Sequence, residues 1–212
     1  MELKCAICRV QACCEEPGNQ PYPRYCAMAQ EEVQALPKAR AAYQQPETRE
    51  LARVAACTES AGYCKETRVE EIMGFARRLG VNRLGVAHCV GLAREAGLLQ
   101  DILEANGFDV LSVGCKVGSI PKEEIGVADE EKVRPGEFEP TCNPVAQAEL
   151  LNESGTGLNI VVGLCVGHDS LFFRYSAAPV TVLVAKDRVT GHNPVAALYT
   201  SHSYYKRLRP GK

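Results

Sequence analysis

From Thr67 onward the apolar positions fall into a repeating order. Val69, Ile72, Met73, Ala76 and Leu79 recur at helical spacing, and Gly80 closes the run. Thr67 with Glu70 three residues later is the pairing that caps a helix start. Arg83 to Ala87 then reads as a short strand, ending in His88 and Cys89. Leu92, Ala96, Leu99 and Leu103 share one face of a second helix, which stops at Gly107. Phe108 to Val113 is the next strand, followed by Gly114 and Cys115. Residues 119 to 141, rich in charge and proline, read as an excursion. Asn143 and Pro144 open another helix as N-cap and first helical residue. Leu158 to Leu164 is an apolar strand ending in Cys165, and a short helix leads to the strand Val180 to Ala185. Asn193-Pro194 opens a last helix, on which His202 reads as structural or exposed. Strands alternating with helices predict an α/β fold: a mostly parallel sheet with flanking helices, Rossmann-like and three-layered.

The segment before this alternation is different. Residues 1–64 form a Cys-rich N-terminal module and a helical linker, with the α/β domain over 65–212. Cys5, Cys8, Cys13, Cys14 and Cys26 are interleaved with Pro17, Gly18, Pro21 and Pro23, and large apolar residues are scarce. Such a module needs a staple, and a metal is the plausible one. Cys5-x2-Cys8 is a knuckle that closes two thiolates on one tetrahedral ion; Cys13 or Cys14, then Cys26, complete four ligands. The spacing fits zinc and in part an iron–sulfur pattern. A helix is expected from Glu47 to Cys57, ending near Gly62; Cys57 and Cys64 either join the set or are structural.

Composition sharpens this. The chain has 212 residues, 46% of them hydrophobic, and a net charge of −2. Nothing in that balance suggests nucleic acid or an anionic membrane as partner. Eleven cysteines is far above ordinary usage, and an odd number cannot all pair. The start, Met-Glu-Leu-Lys-Cys, lacks the basic and apolar regions of a signal peptide, and no apolar stretch approaches the ~20 residues of a membrane span. The expectation is a cytoplasmic protein with reduced thiols.

Ligands of parallel α/β sheets bind beyond the carboxyl ends of the strands. Cys89, Cys115 and Cys165 follow strands directly; Cys142 and His192 precede helix starts, which lie on the same edge of a βα unit. Helix starts favour thiolate over thiol, and four facing thiolates need a cation. Cys89, Cys115, Cys142 and Cys165 are therefore expected to hold zinc or an iron–sulfur cluster, although any one of them alone reads as a small buried hydrophobe. His88, His168, Asp169 and His192 would be nearby ligands, proton carriers or supporting groups, with His168 or His192 handling protons. Lys186, Asp187 and Arg188, after the last strand, either hold an anionic small molecule or the cluster's surroundings, or form a solvated ion-pair turn. The Gly-x-Gly-x-x-Gly, Walker, His-Glu-x-x-His and Gly-x-Ser-x-Gly motifs are absent.

Gly-Leu-Cys-Val-Gly-His-Asp at 163–169, Cys-Asn-Pro at 142–144, Lys-Asp-Arg at 186–188 and Gly-His-Asn-Pro at 191–194 together resemble domain of unknown function 1847 over nearly the whole chain. The resemblance implies metal binding, the label that family usually carries, and names no reaction. Four functions stay open: a metalloprotein with redox or sulfur chemistry, a zinc-dependent hydrolase, a non-enzymatic zinc sensor or interaction protein, and a thiol–disulfide enzyme with one low-pKa cysteine and a resolving partner.

Overall fold

Strand β1, Arg83–His88, is the reference point of the computed structural model, which describes residues 3–30 and 33–211. Both faces of β1 are covered, as its continuous buried run from Leu84 to Ala87 requires. It pairs in parallel with β2, Asp109–Gly114, on one side and with β3, Leu158–Val162, on the other. The outer neighbour of β3 is β4, Val180–Val184, giving the sheet order β2-β1-β3-β4, all parallel. The chain moves outward from β1 to β2 and then returns to the far side of β1. The strand order thus reverses between β1 and β3, where an open parallel sheet forms its binding crevice.

The chain divides into two compact units, Met1–Ala56 and Cys57–Lys212. In the second, α3 (Arg68–Arg78) starts at the expected cap: the Thr67 hydroxyl accepts from Glu70 N at 3.4 Å and the Glu70 carboxylate accepts from Thr67 N at 2.7 Å. Helix α4 (Ala93–Ala105) connects β1 to β2, and α5 (Pro144–Glu153) precedes β3. Helix α6 (His168–Tyr175) leads to β4, and α7 (Val195–Tyr199) follows it. The core lies around the sheet, with Leu84, Val86, Ile160, Val162 and Phe172 fully enclosed. Each such side chain contributes roughly 1.5–3 kcal/mol. Gly85 is glycine because Asn159, its partner in register, fills the space: a Cβ there would lie 2.1 Å from Asn159 Oδ1.

Several boundaries differ from the sequence reading. Strand β3 stops at Val162, because Gly163 turns the chain at φ +66° while its N–H joins Val184 O at 2.8 Å. The last helix ends at Tyr199, where Thr200 bonds back to Ala196 O at 2.6 Å, so His202 lies in the turn beyond it. The 119–141 excursion closes on itself through a Pro121–Pro140 bridge and the Lys122–Glu139 ion pair. Buried Lys132 anchors it further, bonding Asp129 at 2.9 Å and Glu137 O at 3.1 Å.

The first unit contains 3-10 turns at Cys5–Ile7, Ala12–Cys14 and Ala27–Ala29 and the helix α1, Ala35–Ala42. Helix α2, Pro46–Gly62, begins in this unit, and it ends at Gly62, near which the sequence expectation also ends it. Among the described residues no helix is long and apolar enough to cross a membrane.

Candidate functional site

Hydrogen bonding of the sheet continues one residue past the strands. Cys89 N donates to Val162 O at 3.1 Å and Cys115 N to His88 O at 2.9 Å, which fixes both cysteines at the carboxyl edge. Gln147, fully buried in α5, donates to Val113 O at 2.6 Å and His88 O at 3.2 Å and so ties this helix to the same strand ends. The helix start is pinned as well. Asn143 caps it by accepting from Ala146 N at 3.0 Å, and Asn143 N donates to Cys115 O at 2.7 Å. That last bond holds the Cys142 segment against Cys115.

The result is a sulfur–sulfur contact of 3.7 Å between Cys142 and Cys115. Either thiol could donate across it, and the surroundings decide which. Cys115 is buried, 1% exposed, whereas Cys142 is half-buried. The hydrogen bond to Cys142 and burial push the Cys115 thiol up, against the opposing Val90 N–H at 3.4 Å. The same hydrogen bond, followed by the charges of Lys116 and His168, lowers Cys142 to about 5 despite burial. Cys142 is thus the sulfur favoured to ionise, and Cys115 the one favoured to keep the shared proton. Lys116, whose ammonium also bonds Pro140 O, was not among the residues singled out from the sequence. Its one signal there is a cation immediately after a strand-end cysteine.

The other expected residues are placed as follows. Cys89 is buried at the same edge, where a charge on it would push the Cys115 thiol up. Cys165 caps the turn into α6, its carbonyl accepting from His168 N at 2.9 Å and Asp169 N at 3.1 Å. Its sulfur accepts from Arg188 at 3.2 Å, and this contact raises Arg188 above the ordinary guanidinium range. Charges on Cys89 and Cys142 act on Arg188 in the same sense. Lys186 Nζ stands 3.4 Å from where a Cβ on Gly91 would be. His168 Nδ1 is buried and has no hydrogen-bond partner. The Asp169 carboxylate accepts from Gly167 N at 3.0 Å and Ser170 N at 2.8 Å, so it serves its own helix start. His192 Nδ1 accepts from Asp187 N at 3.1 Å, and Asp187 accepts from Val189 N at 2.9 Å and Thr190 N at 3.0 Å, which makes 187–192 a self-contained turn. His88 Nδ1 lies 3.1 Å from Cys89 O.

In the first unit Cys5, Cys8, Cys13, Cys14 and Cys26 line one pocket of about 180 Å³ together with Tyr22 and Tyr25. Backbone N–H groups of Gln11 and Val10 hold the Cys8 thiol below its ordinary range, with help from Tyr25. A hydrogen bond with Cys14 raises Cys13. Cys57 and Cys64 are exposed, and all eleven cysteines are free. Among the described residues no three His, Cys, Asp or Glu side chains stand together as ligands for one metal ion.

Residues 26–183 match the family described as "Protein of unknown function (DUF1847)". The chain belongs to this family. The match spans β1 to β3, β4 as far as Leu183, and the edge that holds Cys89, Cys115, Cys142 and Cys165. An uncharacterized protein of Methanocaldococcus jannaschii, MJ0455, is 47% identical over 170 residues, covering 80% of this chain and 86% of that one. No solved structure matches.

Proposed function

We propose that the DUF1847 crevice is a thiol-based reaction centre in which Cys142 is the nucleophilic thiolate and Cys115 its resolving partner. The observation that carries this reading is the 3.7 Å contact between a half-buried low-pKa sulfur and a buried protonated one. An attacking thiolate must be reachable; a resolving thiol must wait protonated beside it. The Cys142 thiolate attacks one sulfur of a substrate disulfide, forming a mixed disulfide and releasing the other half as a thiolate that takes up a proton. Cys115 then gives up its proton and attacks the Cys142 sulfur. The Cys115–Cys142 disulfide forms and the second substrate thiolate leaves with that proton. The substrate gains two electrons, and the protein dithiol loses two. Lys186 and Arg188 supply positive charge on the same edge for an anionic small molecule, and His168, whose Nδ1 has no hydrogen-bond partner and whose charge acts on Cys142, carries the proton in this reading. A centre that begins each cycle as a dithiol works in a reducing compartment such as the cytoplasm.

A second reading rests on the same distance. Two thiolates on one zinc ion at ~2.3 Å sit about 3.8 Å apart along a tetrahedral edge. Both sulfurs are soft donors, so Cys115 and Cys142 suit a thiophilic ion; among the described residues no third ligand stands with them, and Cys89 and Cys165 would have to move in to complete it. The two readings part in one experiment: reaction with an aromatic disulfide whose leaving thiolate absorbs light, at pH 5.5, on metal-free protein. The reaction centre releases two thiolates per attack in the wild type. Cys115→Ser releases one and retains the mixed disulfide on Cys142. Equal release by both proteins, with zinc or iron that co-purifies and is lost in Cys115→Ser, establishes the metal reading instead.

A further inference from the structure

Residues 3–30 fold with almost no core. Among the described residues of that stretch one apolar side chain is buried, Ala12. Three 3-10 turns and scattered backbone bonds, Cys8 N to Cys5 O at 3.1 Å, Cys14 N to Gln11 O at 2.9 Å and Cys26 N to Pro23 O at 2.8 Å, give it shape without burial. Apolar packing on that scale cannot offset the entropy of ordering some thirty residues, and segments of this kind are held by a cross-link or a metal. The cysteines in the segment are free thiols in the structure and so are available as ligands.

What the segment does have is five thiols around one pocket. Cys5–Ile7 is a 3-10 turn closed by Cys8 N to Cys5 O, and Cys5 and Cys8 both line the pocket. Past it the chain swings through Gln11 at φ +51°, and this bend turns the N–H groups of Val10 and Gln11 back onto Cys8 Sγ. Backbone N–H groups aimed at a cysteine sulfur stabilise a thiolate ligand, and a non-glycine residue held left-handed to supply one marks a constrained loop. Tyr25 donates its hydroxyl to the same sulfur from the other side of the pocket, next to Cys26. Cys13 lies within electrostatic reach of Cys26, with which it lines the pocket.

We propose that Cys5, Cys8, Cys13 and Cys26 bind one tetrahedral thiophilic divalent ion, of the zinc class, that holds residues 3–30 folded. This site is separate from the crevice, and neither requires the other. The thiols are exposed or half-buried, and no three of them stand in ligating positions; the ion draws them together by rotation about Cα–Cβ. Binding deprotonates the thiols, so protons leave as the ion enters. Cys14 remains outside the ligand set.

The test is titration of zinc and of cobalt into the full-length reduced apo-protein, read by bound metal per chain, by the ligand-field and thiolate-to-cobalt bands, and by proteolysis of the first thirty residues. One ion per chain is expected, with tetrathiolate cobalt bands and protection of the segment that a chelator removes. Cys8→Ala, Cys13→Ala and Cys26→Ala should each lose the ion, whereas Cys14→Ala and the Cys115→Ala/Cys142→Ala double variant should keep it. Cys26→His, which retains a competent ligand, should still bind cobalt with the intensity of three thiolates in place of four. Retention of the ion in Cys8→Ala and Cys26→Ala, or its loss in the crevice double variant, overturns the proposal. Loss in Cys14→Ala with retention in Cys13→Ala overturns the choice of fourth ligand.

Discussion

Alkylation of Cys142 by iodoacetamide as a function of pH reports the thiolate directly. With a pKa of about 5, the Cys142 side chain is about 99% ionised at pH 7, against roughly 3% for an ordinary thiol near 8.5. A less basic thiolate is also a weaker nucleophile: with a Brønsted slope of about 0.45, a drop of about 3.5 units slows each thiolate roughly 40-fold. The two factors nearly cancel at pH 7, where Cys142 should react about as fast as any exposed cysteine. At pH 5.5 they do not. Cys142 is still about three-quarters ionised, and an ordinary thiol only about 0.1%, so Cys142 should be modified about 20-fold faster. With eleven cysteines in the chain, the assay needs quenched time points and peptide mapping on reduced, metal-free protein. The rate should reach half its plateau near pH 5. Removing the principal cause, in Cys115→Ala, should move that midpoint upward. A wild-type midpoint in the ordinary thiol range, or one that stays put in Cys115→Ala, would refute the shared-proton account.

Other consequences concern stability. Between about pH 5 and 8.5 the unfolded chain carries a proton on both Cys115 and Cys142, whereas the folded chain carries one, on Cys115. The pair therefore makes stability rise with pH in that window, by at most about 1.4 kcal/mol per unit. Above it, where the unfolded chain holds neither proton, the sign reverses. Comparison of wild type with Cys115→Ser/Cys142→Ser by urea denaturation across pH isolates this slope, and parallel profiles would count against it. Asn143→Ala removes the α5 cap and should cost about 1 kcal/mol, while also removing the Asn143 Nδ2 bond to Val117 O at 3.3 Å that ties the Cys142 segment to the chain after Cys115; its denaturation midpoint and the alkylation pH midpoint should shift together. Gly163→Ala forces a side chain into φ +66°, with its Cβ 2.0 Å from Leu92 Cδ1, and should destabilise by more than about 1 kcal/mol; an unchanged thermal midpoint would mean that this turn is looser than described.

The elements that follow from short-range rules were readable in the sequence. Thr67 and Glu70 cap α3 as their spacing dictates, Asn143-Pro144 opens α5, and the apolar run from Leu158 is a strand buried on both faces. Placement of Cys89, Cys115 and Cys165 at one edge follows from strand ends in a parallel sheet. Other features depend on contacts between distant segments. The charge on Cys142 arises from Cys115, 27 positions away, and from Lys116 and His168. Arg188 meets Cys165 across 23 positions, and no spacing announces it. Asp169 and His192 are expected from the sequence near the site as ligands, proton carriers or supporting groups; Asp169 Oδ1 and His192 Nδ1 accept from nearby backbone N–H groups, local bonds that residue type alone does not announce. Helix α1 gives little amphipathic signal and contains Pro37 in its first turn, so periodicity passes over it.

The most direct test of the thiol centre is disulfide mapping after equilibration in a buffered dithiol–disulfide couple across a range of potentials. The account predicts a single reversible two-electron transition that links the Cys115 and Cys142 peptides, is absent in Cys142→Ser and is blocked by prior alkylation of Cys142. Absence of that linked peptide at every potential, with Cys115 and Cys142 both recovered as free thiols, would contradict it.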